Sequence, residues 1–224
     1  MTRAGHELRR IVDVLSVAVV AVAIALLVGR VVHGRLSGSA RNDGGLDREL
    51  FVRLASDGQW IGSRTASAVI LVYSDYGCGF CAELNTTLDA LMKRYPDHVA
   101  VAIKHFVEPS SLKNFRVPAG AECAGDQGRF VEYHNAAFQN TNLLRYSDGW
   151  RVLADLADVA DREAFALCVN GGRYDDRIME QYEEGMRLGV TVTPTLFVNG
   201  SGVVGAASLD ALDSLVAKQF PDRR

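Results

Sequence analysis

The feature that most restricts this chain is Cys78-Gly79-Phe80-Cys81, set where one periodicity stops and another begins. Ahead of it, residues 68–73 (AVILVY) form a continuous apolar, β-branched run without alternation. That is the pattern of a strand covered on both faces, as in a parallel or mixed sheet flanked by helices. After it, Leu84, Leu88, Leu91, Met92 and Tyr95 share one face of a helix over 78–95. Residues 99–106 (VAVAIKHF) read as a further strand, so the three pieces make a strand–helix–strand unit with an expected right-handed crossover. Two cysteines separated by two residues can meet across the first turn of such a helix. The first then sits at the helix N-terminus, where unpaired N–H groups and the helix dipole favour thiolate over thiol. The second lies deeper. An attacking sulfur beside a shielded, resolving sulfur is what thiol–disulfide exchange through a mixed disulfide requires.

The rest of the folded region follows the same α/β logic. Residues 46–55 carry Leu46, Leu50, Phe51 and Leu54 at helical spacing, and 59–62 can form a short strand. Strand patterns disappear over roughly 119–188. Phe130, Tyr133, Ala137 and Phe138 mark one helix there; Leu153, Leu156 and Ala157 a second; residues 164–169 a third; and 178–188 a fourth. Strands resume at 195–198 and 203–204 around Asn199-Gly200, with Ser201-Gly202 extending the turn. Ser208 can cap a last helix through Leu209, Leu212, Leu215 and Val216. The fold class is therefore α/β, a sheet interrupted by a helical insertion.

Composition hides a second object. The 224 residues carry 24 Lys+Arg against 27 Asp+Glu, a net charge of −3, with 48% apolar residues. Those averages exclude a disordered chain and a disulfide-dense miniprotein, and they give no basic face for nucleic acid. Yet residues 1–35 hold five arginines and two acids, a net +3 that leaves −6 on the remainder. Between those arginines, residues 14–28 (VLSVAVVAVAIALLV) carry no charge, and an apolar stretch from 11 to 29 meets the length of a membrane-spanning helix, with Asp13 near one end. The expected organisation is an N-terminus over 1–10, a transmembrane anchor over 11–32, a Gly/Ser-rich tether over 33–45 and a folded domain over 46–224. The competing reading is a cleaved signal peptide with Gly38 and Ala40 before the cut, but Arg30, His33 and Arg35 lie between the apolar run and that site.

Other uses of the cysteine pair are a structural disulfide, a zinc site and copper delivery. Cys123, Cys168, His105 and His134 show no zinc-finger spacing, so no metal site is assigned. Two thiolates with the His105 imidazole could hold copper, which makes a copper chaperone the rival from outside enzymology. A holdase working without redox turnover is another. A second landmark, Thr193-Pro194-Thr195, precedes a strand, where a residue unable to donate to the ladder needs a reason; a cis Thr193–Pro194 peptide is one.

The strand with Asp75-Tyr76-Gly77-Cys78-Gly79-Phe80-Cys81, the insert with Glu122-Cys123-Ala124 and Gln127-Gly128-Arg129-Phe130, and Gly189-Val190 leading to Thr193-Pro194-Thr195-Leu196-Phe197-Val198-Asn199-Gly200 together resemble the DsbA-like thioredoxin-fold proteins, above all their membrane-anchored bacterial branch. The resemblance covers about residues 58–218. It implies a thioredoxin fold with an inserted helical domain, no cofactor, and disulfide exchange with exported proteins. By position, Cys78 is the nucleophile, Cys81 resolves, and Pro194 is the cis-proline beside them. Thr193 offers backbone groups to a substrate strand. The same resemblance implies oxidation of substrate dithiols, with a quinone-linked membrane partner restoring the disulfide; a reductase, for example in cytochrome maturation, is the alternative direction. Two positions depart from the pattern. Many relatives carry a buried acid six residues before the first cysteine, where this chain has Val72. Gly79 and Phe80, which tune the redox pair, place no positive charge between the cysteines, so a potential below that of the strongest oxidants, near about −120 mV, is expected.

Cys123 and Cys168 remain. Pairing them leaves Cys78 and Cys81 free for turnover and closes a loop that could contribute roughly 3–4 kcal/mol; two buried free thiols are the other possibility. A structural disulfide needs an oxidising compartment, which would place the short N-terminus in the cytoplasm and the folded domain outside a single-pass bacterial inner membrane. The acids Asp175, Asp176, Glu180, Glu183 and Glu184 read as a solvated helix face, and the Asn85-Thr86-Thr87 sequon as chance.

Overall fold

A computed structural model describes residues 45–109 and 115–220. The expected anchor, and the expected tether as far as residue 44, lie outside the described residues, and among the described ones no helix is long and apolar enough to cross a membrane.

The chain enters through helix α1 (Arg48–Ser56), which is capped by Asp47 accepting the Leu50 N–H at 2.8 Å. Strands β1 (Gln59–Ile61) and β2 (Ala68–Ser74) follow, then helix α2 (Gly79–Arg94) and strand β3 (Val99–His105). Five helices come next: α3 (Arg116–Gly125), α4 (Phe130–Gln139), α5 (Gly149–Leu156), α6 (Arg162–Asn170) and α7 (Asp175–Arg187), with a 3-10 turn over Thr141–Arg145 between α4 and α5. Strands β4 (Thr195–Val198) and β5 (Ser201–Val204) and helix α8 (Leu209–Ala217) close the fold. The sheet order is β1-β3-β2-β4-β5. β2 and β3 run parallel, from Ala68 opposite Val99 to Ser74 opposite His105, and every other pairing is antiparallel.

Strand alternation divides the core. Ala68, Ile70 and Val72 of β2 and Val99, Val101 and Ile103 of β3 share one cluster with Leu84, Leu88 and Leu91 of α2 and Leu212 and Val216 of α8. That cluster continues into Phe130, Tyr133, Trp150, Leu153 and Phe165 of the helical segment. Leu71, Tyr73 and Ala102 point the other way, onto Leu50, Phe51 and Leu54 of α1. The sheet is thus covered on both faces, which is why β2 shows no alternation in its sequence.

Three local expectations are corrected. The helical region begins at Arg116 and holds five helices, the unanticipated one being α3. Its residues 117–124 are buried all round, so VPAGAECA has no amphipathic stripe to betray it. Ser201 and Gly202 belong to β5 rather than to the turn. Asn199 and Gly200 alone make the hairpin loop with φ of +44° and +96°, the left-handed pair that a two-residue turn demands. Finally, Glu184 leaves the acidic face of α7 and turns inward. Its Oε1 lies 2.6 Å from Lys104 Nζ and accepts the Tyr73 hydroxyl at 2.6 Å. The Lys104 side chain is fully buried on β3, and a buried ammonium requires a carboxylate partner.

Candidate functional site

The candidate site lies at the carboxyl end of β2. An Asp75 turn links this strand to α2: the Asp75 carboxylate accepts the Gly77 N–H at 2.8 Å, and the Asp75 carbonyl accepts the Cys78 N–H at 3.1 Å. Cys78 is the N-cap of α2, with extended backbone and no side-chain cap bond, which puts its sulfur at the N-terminal end of the helix. Cys78 and Cys81 are free thiols, the first half-buried and the second 2% exposed.

Their environments pull the two sulfurs apart. Burial opposes the Cys78 thiolate, but hydrogen bonds from the Thr193 side chain, the Cys81 N–H and thiol, and the Phe80 N–H outweigh it and lower its pKa. As a thiol, Cys78 Sγ donates to the Thr193 carbonyl at 3.3 Å. Cys81 goes the other way: burial pushes it up to about 11, against hydrogen bonds from the Asp75 N–H and the Ser74 side chain. Of the two thiols, Cys78 is the stronger acid, and Cys81 keeps its proton at neutral pH.

Thr193 and Pro194 come to the same place from the far end of the chain, joined by a cis peptide bond. The loop is pinned by Thr195 Oγ1 donating to the Val192 carbonyl at 2.8 Å and by the Gly205 N–H donating to the Pro194 carbonyl at 2.8 Å. Phe80, 66% exposed, and Val192, 49% exposed, present apolar surface beside the cysteines. A Cβ on Gly79 would meet no atom within 4 Å, so the approach over the helix start is open.

Cys123 of α3 and Cys168 of α6 are bonded to each other, with Cα atoms 6.0 Å apart. His105 does not join the cysteines as a copper ligand. Among the described residues no group of three His, Cys, Asp or Glu side chains could hold a metal ion. Its Nε2 lies instead 3.3 Å from Glu122 Oε1.

A family model described as thioredoxin matches residues 55–218. The chain belongs to the thioredoxin family. Its fold is also that of DsbA-like solved structures: the chain superposes on alpha-DsbA1 from Wolbachia pipientis with a TM-score of 0.66 at 19% identity, covering 77% of this chain and 95% of that one. Among curated proteins, it is similar to the Na(+)/H(+) antiporter NhaA 1 of Mycolicibacterium vanbaalenii, 29% identical over 154 residues, which is 66% of this chain and 25% of the antiporter. It is also similar to a Rickettsia felis protein named "Putative protein-disulfide oxidoreductase", 23% identical over 171 residues, 73% of this chain and 60% of that protein. The chain spans about a quarter of the length of the antiporters it matches.

Sequence reading missed the polar groups under the site of this thioredoxin-family chain. Tyr76 Oη and His134 Nδ1 are 2.9 Å apart, and His134 Nε2 lies 2.9 Å from Asn85 Oδ1, so the Asn85 of the sequon is committed inside the core. Glu122 is a carboxylate within an alanine-rich, buried helix, and Lys104 a cation within an apolar strand. A charge inside an unbroken apolar run is the signal that exposes both. Burial holds His134 down at about 3, well below its ordinary 6.5, and the nearby His105 pushes the same way. The unfolded chain therefore takes up a proton that the native state refuses. Unfolding free energy in urea is expected to fall as pH drops below about 6.5, by up to about 1.4 kcal/mol per unit from this one group. His134→Asn should flatten that slope between pH 6.5 and 5, and an unchanged slope would locate the proton uptake elsewhere.

Proposed function

We propose that the chain is a thiol–disulfide oxidoreductase in which Cys78 attacks, Cys81 resolves, and the Thr193–Pro194 loop holds the substrate strand. The observation that carries this reading is the opposed pair of thiols, one lowered at a helix N-terminus and one raised to about 11, beside the Thr193 carbonyl. A substrate thiolate would attack Cys78 of the oxidised pair, and its second thiolate would then displace Cys78. The exposed backbone of the loop suits extended, unfolded substrates of varied sequence.

The likeness to a DsbA-like protein and the buried Cys123–Cys168 bond support action outside the cytoplasm, on exported proteins. We further assign the apolar residues 11–32 as an anchor holding the domain to the outer face of the inner membrane, and a quinone-linked membrane protein as the reoxidising partner. The direction assigned is oxidation. A potential measured against glutathione is expected above about −200 mV yet below about −120 mV, because no cation lies between the cysteines; a value below about −270 mV would make the chain a reductase.

A further inference from the structure

Cys81 keeps its proton at neutral pH, so every passage between disulfide and dithiol moves a proton onto or off a sulfur that is 2% exposed. Bulk water has little access to it, and Val72, on the same face of β2, is apolar and buried. What the structure does place against Cys81 is the Ser74 side chain. Ser74 pairs with His105 across the parallel β2–β3 ladder, so both side chains leave the same face of the sheet, the face that α2 covers. His105 is buried, and its Nε2 faces Glu122 Oε1 at 3.3 Å. The Glu122 side chain is wholly buried. Its Oε2 accepts from Gln59 Nε2 at 2.6 Å, and its Oε1 lies 3.6 Å from Arg177 Nε. Neither His105 Nε2 nor Glu122 Oε1 completes a hydrogen bond. Buried ionisable groups are costly to keep in this condition, and such pairs cluster where protons move.

We propose that the His105–Glu122 pair, reached through the Ser74 hydroxyl, is the proton store for Cys81. The inference rests on the exchange chemistry proposed above and assigns its proton. When a substrate thiolate attacks Cys78, a new S–S bond forms and the Cys78–Cys81 bond breaks. The electron pair of the broken bond goes to Cys81 Sγ. That sulfur takes one proton, through Ser74, from the His105–Glu122 pair, which is left with one proton fewer. In the return step Cys81 gives the proton back, and its thiolate attacks the mixed disulfide. Burial pushes Glu122 up, but the His105 ring beside it, the Gln59 amide and the nearby Arg177 outweigh that and hold its carboxyl below the ordinary value. The other groups facing His105 are less suited. His134 on α4 is held neutral, Tyr76 is pushed well above its ordinary value by burial, and the Asp75 carboxylate is occupied by the Gly77 N–H. Gln181 of α7 only accepts the His105 backbone N–H.

The test uses the full chain carrying glutathione as a mixed disulfide on Cys78, with release of glutathione followed by acid quench and mass spectrometry from pH 6 to 11. His105→Gln and Glu122→Gln should slow release by about a hundredfold at pH 7, with the deficit closing as Cys81 begins to ionise unaided. Glu122→Asp should retain most of the rate. Ser74→Ala, which leaves the buried pair in place, should show the same closing deficit if the larger changes disturb folding. Alkylation of Cys78 by iodoacetamide should be unaltered in all four. A deficit equal at every pH would make the pair structural and overturn the proposal, as would a pH-dependent deficit appearing in Asp75→Asn alone. Glutathione release from a Cys81→Ser chain as fast as from the parent would instead remove the exchange reading itself, and the proposal with it.

Discussion

Replacing Cys78 with serine should reduce thiol–disulfide exchange to the rate of free thiols, a loss on the order of a thousandfold or more, since removing a catalytic nucleophile costs at least that in well-studied enzymes. The position explains the magnitude. Cys78 sits at the N-cap of α2, where the N–H groups of Phe80 and Cys81 and the Thr193 side chain favour its thiolate and lower its pKa. A serine there keeps the geometry but ionises far above any working pH. Cys81→Ser should behave differently: the first attack survives, no resolving thiol remains, and mixed disulfides on Cys78 accumulate on non-reducing gels. Iodoacetamide should modify Cys78 with a midpoint below its ordinary 9.0 and Cys81 only near 11. Equal reactivity of the two thiols across pH would contradict the division of labour.

The parts of the site that were legible in the sequence are those carried by local chemistry. A doubly covered strand leaves a continuous β-branched run, and a cysteine pair at the strand–helix junction needs only the next turn of chain to be understood. Asn199-Gly200 announced a hairpin because two successive left-handed residues admit few side chains. What escaped were contacts made by residues far apart along the chain. Glu184 shares its face of α7 with exposed acids, and nothing within that helix distinguishes it. Only the approach of Lys104, 80 residues earlier on β3, turns it inward. Glu122 likewise meets His105 through the folding of α3 over the sheet, and α3 itself lacked the apolar stripe by which helices are recognised. His105 was visible as a candidate ligand for the cysteines, but its partner is a carboxylate buried on another element. Long-range electrostatic pairing has no period, so pattern reading passes over it.

Breaking the buried Cys123–Cys168 bond should produce a large loss of stability from a single change. The bond ties α3 to α6 across 45 residues of chain, and freeing that loop in the unfolded state is expected to cost about 3–4 kcal/mol. For a domain of this size such a loss lowers the melting temperature by about 10 °C. Cys123→Ala and Cys168→Ala should each show it, and the double variant should add little, because either change alone opens the loop. The effect should leave Cys78 alkylation intact, since the bond lies in the helical segment and the Cys78 thiolate is stabilised by α2 and by Thr193. It should, however, weaken the support for Glu122, the residue preceding Cys123 on α3. Slower resolution by Cys81 at neutral pH, restored toward pH 11, would then accompany the fall in melting temperature. Melting curves of the single and double variants that coincide with the parent's would mean the loop is held closed by packing around Tyr133, Trp150 and Phe165 rather than by the bond.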